Sequence, residues 1–174
     1  PGGKERVMRK QLLVYGVVLI MLGAACHPDQ KGQDGEPRMK PKPSVSFYPV
    51  SLKELKIVTG QVLYVPVYSH IALPGAEQRT LYLSATLSIR NTDLQHRIIL
   101  TSVAYYDTNG VLVEEYLTES FALAPMASTE VIVRQLDTRG GSGANFLVQW
   151  VAETAVSAPI IEAIMAGTMG NFSF

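Results

Sequence analysis

The chain contains little of the chemistry on which many small secreted domains and enzymes depend. Its 174 residues include one cysteine, one tryptophan and three histidines. A lone cysteine excludes an internal disulfide, and its position, Cys26, leaves the rest of the chain without a thiol nucleophile. The histidines, His27, His70 and His96, lack the spacing of a metal-binding motif. We therefore expect no metal, no cofactor and no thiol catalysis.

The chain also has no net charge, but its charged residues are unevenly distributed. The chain has 15 basic and 15 acidic residues, and 8 of the basic ones fall within residues 1–43. The remainder has 7 Lys and Arg against 11 Asp and Glu, a net charge of 7 − 11 = −4. Because nucleic-acid binding requires a cluster of cations that neutralise phosphates, we expect no nucleic-acid partner.

The apolar run at residues 12–25 has 14 residues and is too short to span a bilayer, which takes about 20 residues as a helix. Arg9 and Lys10 precede it, and Gly-Ala-Ala leads from it to Cys26. A basic start, a short apolar stretch and small residues at a cleavage site are typical of a secretory signal. The sequence therefore predicts a signal peptide over residues 1–25.

The end of this segment, LGAAC at residues 22–26, resembles a bacterial lipoprotein signal. The resemblance implies that Cys26 carries the lipid and binds membrane lipid, while the rest of the chain works outside the cytoplasm. His27 stands where an Asp would favour inner-membrane retention, so the outer membrane is favoured. Gly23 departs from the family pattern, which has Leu there. An ordinary signal cleaved near Ala25 and a short uncleaved anchor stay as alternatives.

Residues 26–44 follow as a stretch rich in proline and charge, with the sequence CHPDQKGQDGEPRMKPKPS. Such a composition buries too little apolar surface to offset the entropy of ordering the chain. We expect a disordered tether here and a folded domain over residues 45–174.

The domain shows the alternation of apolar and polar residues that is typical of β-strands. The clearest case is residues 80–90, where Leu81, Leu83, Ala85, Leu87 and Ile89 alternate with polar residues and Tyr82. Seven such strands are predicted, at residues 61–68, 80–90, 97–106, 111–117, 128–135, 146–153 and 159–166. With regular turn signals and no long helical pattern, they predict an all-β fold, an antiparallel Ig-like β-sandwich.

Two segments could be interpreted in another way. Asp107-Thr108-Asn109-Gly110 has two potential calcium ligands, but Asn-Gly between strands favours a hairpin because both residues tolerate positive φ. Residues 159–166 (PIIEAIMA) also fit a helical face that starts at Pro159, but the density of isoleucine favours a strand. Residues 171–174 (NFSF) are a candidate for a short edge strand.

Several motifs in this domain resemble the DUF3124 family of bacterial proteins of unknown function, across nearly all of residues 60–174. The motifs are VPVYSH at 65–70, LSIRNT at 87–92, YYD at 105–107, GGSGANF at 140–146 and PIIEA at 159–163. The resemblance implies membership but no activity. The domain also looks like the FxLYD-type Ig-like modules of bacterial envelope proteins. The likeness lies in the order of its features: a strand, an Asn, a second strand, a Tyr-Asp pair, a Gly and a third strand.

One loop and one aromatic residue are candidates for binding. Three glycines within four residues allow close approach of a ligand to the backbone. The candidate loop comprises Asp137, Arg139, Gly140, Gly141, Ser142, Gly143 and Asn145. A plain connection between strands is the alternative, and a nucleotide site is unsupported without a following Lys-Ser/Thr. Tyr82 is the candidate surface aromatic because it points away from the face of Leu81 and Leu83.

These observations predict a membrane-anchored, non-catalytic binding module of the cell envelope, which contacts a protein or a small ligand. An enzyme is one alternative: a hydrolase with the glycine-rich loop 140–143 as an oxyanion or phosphate cradle. A pocket that joins this loop to His70 or Glu162 would favour it. The other alternative is a purely structural envelope subunit. No triad motif or nucleophile elbow supports catalysis.

Overall fold

A computed structural model describes residues 40–75, 79–169 and 172–173. The predicted signal segment, Cys26 and most of the predicted tether lie outside these residues. The described chain forms thirteen β-strands: β1 (Phe47–Pro49), β2 (Thr59–Pro66), β3 (His70–Leu73), β4 (Arg79–Tyr82), β5 (Ser84–Arg90), β6 (Ile98–Tyr106), β7 (Leu112–Glu115), β8 (Phe121–Leu123), β9 (Ser128–Val133), β10 (Asn145–Ala152), β11 (Ile160–Ala166), β12 (Thr168–Met169) and β13 (Phe172–Ser173).

The strands form two larger and two small sheets, and every pairing is antiparallel. The largest sheet has the order β1-β8-β6-β10-β2, with β7 also paired to β6. The second has the order β11-β5-β9, and the small sheets are β3-β4 and β12-β13. Within the described residues there is no helix that is long and apolar enough to cross a membrane.

One hydrophobic cluster contains buried side chains of both larger sheets. Leu87 and Ile89 of β5, Val131 of β9, and Val103 and Phe146 of the largest sheet are all fully buried within it. Complete burial of one such side chain is worth about 1.5–3 kcal/mol relative to exposure. The alternation read from the sequence is what aims these side chains inward, because a strand turns successive residues to opposite faces.

The all-β prediction is confirmed, and each of the seven predicted strands is present. Residues 160–166 form a strand and not a helix, with Ile161, Ala163 and Met165 packed on the core. Residues 80–90 differ from the prediction because β4 and β5 are separate strands. The break lies at Leu83, whose amide donates to the Ser69 carbonyl oxygen at 2.9 Å, so β4 pairs with β3 and β5 with β9 and β11.

The Asn-Gly hairpin is confirmed between β6 and β7, with a different backbone from the one expected. Of Asn109 and Gly110, only Gly110 has a positive φ, of 77°. The Gly110 amide donates to the Asp107 carbonyl oxygen at 3.0 Å, and the Asp107 carboxylate accepts from the amides of Asn109 and Val111 at 2.8 Å each. The carboxylate holds the turn, so Asn109 does not need the left-handed region.

Candidate functional site

The glycine-rich loop connects β9 to β10 and turns sharply at its second glycine. Gly141 has a φ of 75°, in the left-handed region that favours glycine, and its amide donates to the Thr138 carbonyl oxygen at 3.1 Å. Ser142 and Gly143 are exposed, whereas Gly140 and Asn145 are buried. The loop therefore has a defined backbone with an exposed tip.

Thr108, in the hairpin between β6 and β7, fastens the first half of this loop. Its amide and its hydroxyl both donate to the Gly140 carbonyl oxygen, at 2.9 and 3.1 Å. The same hydroxyl accepts from the Gly143 amide at 2.9 Å. Two loop amides, those of Gly141 and Gly143, are thus used within the protein and do not point together at an empty site that an oxyanion could occupy.

Ser69 fastens the loop from the other side. Its amide and its hydroxyl both donate to the Gly141 carbonyl oxygen, at 3.0 and 2.9 Å. The Ser69 hydroxyl also lies 3.1 Å from Nδ1 of His70. Because its one proton goes to Gly141, Nδ1 of His70 must be the donor of that contact. Ser69 is only 2% exposed, so the pair joins the loop to His70 without presenting a nucleophile.

The charged residues of the loop form ion pairs that extend to residues outside the loop. Arg139 binds both carboxylate oxygens of Asp137, at 2.9 and 3.0 Å. Its guanidinium also lies 3.7 Å from Glu114 on β7, and the other oxygen of Glu114 lies 3.4 Å from Nζ of Lys40. The loop is therefore connected through Glu114 to the segment that precedes β1.

Tyr82 lies on β4 with 42% of its surface exposed, while its neighbours Leu81 and Leu83 are buried. It faces outward, as its position in the alternating pattern predicts. Its ring centroid lies 6.3 Å from that of His70, with which it is paired across β3 and β4. Through His70 and Ser69, Tyr82 belongs to the same end of the domain as the glycine-rich loop.

Glu162 lies apart from this group. It is exposed on β11, and its nearest cation is Arg90 of β5, at 3.8 Å. The structure therefore joins the glycine-rich loop to His70 through buried hydrogen bonds, and it does not bring Glu162 to either of them.

A groove of about 540 Å³ lies where the segment before β1 passes over β5 and β9. Its walls are formed by Lys40, Pro41, Lys42, Ser88, Arg90, Ser128, Thr129, Glu130 and Ile132. The register sets Ser88 opposite Glu130 and Arg90 opposite Ser128, so outward-facing residues of both strands meet in its floor. Lys40, which closes the ion network of the loop, is also part of the wall.

The groove was not predicted from the sequence, although some of its residues lie in recognisable sequence patterns. Two lysines close together in a proline-rich stretch, and polar residues at the outward positions of two strands, are both visible in the sequence. The pairing of β5 with β9, about forty residues apart in the chain, brings the strand residues together, and the path of the segment at residues 40–42 adds the two lysines. Within the described part of the chain, no three His, Cys, Asp or Glu side chains could hold a metal ion together.

Comparison with known proteins gives a single positive finding. A family model described as a protein of unknown function, DUF3124, matches residues 60–174. No curated protein matches the chain, and no solved structure matches it. The matched region begins in β2 and includes both the glycine-rich loop and the β5 and β9 walls of the groove.

Proposed function

The chain belongs to the DUF3124 family, and from that premise we propose that its β-domain is a non-catalytic binding module of the bacterial cell envelope. In this proposal the ligand binds in the groove between the segment at residues 40–42 and strands β5 and β9. The proposal also retains the Ig-like, FxLYD-like arrangement of the domain. The common core between the two larger sheets supports that arrangement.

The observation that carries the proposal is the composition of the groove. Binding sites are concave and contain a few convergent polar groups that orient a ligand. Here Lys40, Lys42, Arg90 and Glu130 line, together with Ser88 and Ser128, a volume of about 540 Å³. That volume lies within the usual range for small-ligand pockets, roughly 300–1,000 Å³.

The hydrogen bonds of the glycine-rich loop give little support to a hydrolase. An oxyanion hole needs amides that point at the position of the developing charge, and the amides of Gly141 and Gly143 donate to Thr138 and Thr108 instead. The neighbouring serine, Ser69, is buried, and its hydroxyl proton goes to a backbone carbonyl. We therefore propose that the glycine-rich loop has a structural role that holds this end of the domain together.

The envelope location in this proposal rests on the N-terminal sequence. Cys26, after a short apolar run and small residues, would carry the lipid that anchors the module outside the cytoplasmic membrane. One lipid chain gives only marginal binding, and the several chains of a lipoprotein anchor make attachment stable. Mass spectrometry of the mature N-terminus tests this point: we expect a lipid-modified Cys26, and an unmodified cysteine would end the proposal of a lipid anchor.

Ligand binding at the groove can be tested on the full chain in neutral detergent. Fractions of small molecules from an envelope extract are added, and the midpoint of thermal unfolding is measured. A ligand at a hundred times its Kd stabilises a protein by about 2.7 kcal/mol, which raises the midpoint by roughly 5 °C or more in a domain of this size. We expect such a shift for the unmodified chain and its loss in Ser128→Trp, which fills the groove.

Ser142→Trp is the matched control because it places the same side chain on the exposed tip of the glycine-rich loop. It should keep the full shift. If Ser142→Trp loses the shift in the unfolding midpoint and Ser128→Trp keeps it, the ligand binds at the loop and the assignment of the site to the groove is wrong. If no fraction shifts the midpoint of the unmodified chain, the structural-subunit alternative is favoured. Turnover in a broad hydrolase screen would refute a non-catalytic module.

A further inference from the structure

We propose that the ligand of this groove carries a phosphate monoester, held as a dianion by Lys40, Lys42 and Arg90. This inference rests on the proposed function and specifies its ligand. The residues that line the groove support it: three cations against the single carboxylate of Glu130. Glu114 and Glu162 lie beside Lys40 and Arg90 without being part of the lining, so a ligand competes with them for two of the cations. A phosphate monoester, with a charge of about −1.5 to −2 at neutral pH, competes better than a singly charged carboxylate.

The three cations are free to turn toward a ligand. Lys42 makes no ion pair with any other residue in the described part of the chain. Arg90 lies 3.8 Å from Glu162, and both side chains are about half exposed. Lys40 lies 3.4 Å from Glu114, and its side chain is 44% exposed. Ion pairs of this length between partly exposed side chains contribute little to stability, so a phosphate can replace them.

The remaining groups complete a phosphate site. Arg90 is already oriented by its Nε, which donates to the Ser88 hydroxyl at 3.0 Å. One of its outer nitrogens lies 3.8 Å from Glu162, and the outer nitrogens together form a fork that suits an oxyanion once it replaces Glu162. Ser128 lies opposite Arg90 in the same wall and offers a hydroxyl group there. Ile132 and Pro41 are the apolar residues of the groove, so a large apolar ligand would find few partners. The walls fit a small, polar, phosphorylated molecule or headgroup.

The first experiment measures the affinity of glycerol 3-phosphate for the full chain in neutral detergent by calorimetry, with glycerol as the uncharged comparison. We expect binding of the phosphate and none of glycerol. A hydrogen bond from a charged group is worth about 1.5–3 kcal/mol, so Lys42→Gln and Arg90→Gln should each weaken binding about tenfold or more. Glu130→Gln removes the repelling carboxylate and should strengthen binding several-fold.

Lys53→Gln is the matched control because it removes the same charge from an exposed position that is not part of the groove. It should leave the affinity unchanged. If it weakens binding as much as Lys42→Gln does, the phosphate is attracted by overall charge and the site is wrong. The proposal would also be overturned if Glu130→Gln weakened the binding of glycerol 3-phosphate.

A second arm distinguishes a free phosphate from a lipid headgroup. The full chain is placed in nanodiscs of phosphatidylcholine with or without phosphatidic acid, whose headgroup is a phosphate monoester. Stabilisation by phosphatidic acid that Lys42→Gln abolishes would support a lipid source. Stabilisation by glycerol 3-phosphate alone would support a free ligand.

The outcomes also separate this inference from the proposed function. If an envelope fraction stabilises the chain through the groove but neither phosphate does, the phosphate assignment is overturned and the binding module stands. If nothing stabilises the chain, both proposals fail.

Discussion

Gly140 lies directly against the hydroxyl group of Tyr105, so close that a methyl group on Gly140 would overlap it. Tyr105 is 1% exposed and packed against Phe146, which leaves its ring no space to move. The glycine-rich loop can therefore take its path over the core only because residue 140 has no side chain. This contact gives a structural reason for the first of its glycines.

Gly140→Ala is accordingly expected to destabilise the domain. Forcing an extra methyl group into a packed core costs typically about 1–3 kcal/mol. The free energy of unfolding can be followed in urea by the fluorescence of Trp150, the chain's single tryptophan, which is 4% exposed. Gly143→Ala is the control, since a methyl group there comes no closer than 3.1 Å to the side chain of Thr108 and should cause a smaller loss. Equal losses in the two variants would contradict this explanation.

Asn91 supports a second prediction, about a buried polar contact. Its side-chain amide donates to the carbonyl oxygens of His96, Leu123 and Ala124, at 2.8, 3.1 and 3.0 Å. Its side-chain oxygen accepts from the Asp93 amide at 3.0 Å. The residue is 2% exposed, so Asn91→Ala removes four hydrogen bonds at an interior site, although the Ala124 carbonyl oxygen keeps the Ala127 amide as a partner.

We expect Asn91→Ala to lower the free energy of unfolding by about 2–4 kcal/mol, since each unsatisfied buried group costs roughly 1–3 kcal/mol. Urea unfolding measures it. Thr92→Ala is the neighbouring control, because it removes one exposed hydrogen bond to the Ala158 carbonyl oxygen and should cost less than about 1 kcal/mol. A loss in Asn91→Ala no larger than that of the control would show that water replaces the missing amide.

The sequence predicts most of the fold because the strands that contribute most to the core are long, and they either alternate strictly, as β5 does, or are rich in β-branched and aromatic residues, as β6 is. In β5, Ala85, Leu87 and Ile89 are all at most 2% exposed, as their spacing requires. The short strands β1 and β8 were not predicted, because three residues are too few to display a period of two. The break at Leu83 was missed for another reason: the alternation continues across it, and only the contact with Ser69 separates β4 from β5.

The candidate site was predicted less completely, since it depends on contacts between distant segments. Glycine composition identifies the loop at residues 140–143, but its fastening by Ser69 and Thr108 comes from two other connections. The groove was harder to predict than the loop, because no local sequence pattern relates Lys42 to Arg90. Both line the groove because the segment at residues 40–42 passes over β5 and β9, and neither local sequence specifies that path.

Asp93 predicts an acid-sensitive contribution to stability. Backbone amides of Gln95, Ser157 and His96 donate to its carboxylate at 2.9, 3.0 and 2.7 Å, and they hold its pKa well below the ordinary value of 3.8. A lowered pKa in the folded state means that the unfolded chain binds the proton more tightly. The stabilisation is therefore fully present above the ordinary pKa and is lost as the pH falls below it.

Urea unfolding at a series of pH values below 5 measures this effect. The unmodified chain should lose stability as the pH falls below about 4. Asp93→Asn should be less stable at pH 7, because a neutral amide accepts these hydrogen bonds poorly, and its stability should depend less on pH in this window. Glu119→Gln, which changes an exposed carboxylate, is the comparison and should keep the full dependence. The same slope in Asp93→Asn and the unmodified chain would exclude Asp93 as its source.

The turn between β8 and β9 supports a prediction of increased stability. The Ala127 amide donates to the Ala124 carbonyl oxygen at 3.1 Å, so Pro125 and Met126 are the central residues of this turn. Met126 has a φ of 58°, the left-handed conformation that the third position of a type II turn requires and that glycine adopts most easily. Its side chain is 64% exposed and contributes little packing.

Met126→Gly should therefore raise the free energy of unfolding. The left-handed conformation costs a residue with a side chain about 1–2 kcal/mol, and the greater freedom of glycine in the unfolded chain takes back part of that gain, so a net increase of roughly 0.5–1 kcal/mol is expected. Met126→Ala separates the two contributions, because it removes the exposed side chain and keeps the strain, and it should leave stability nearly unchanged. If both variants gain equally in urea unfolding, the methionine side chain and not the backbone conformation is the cause.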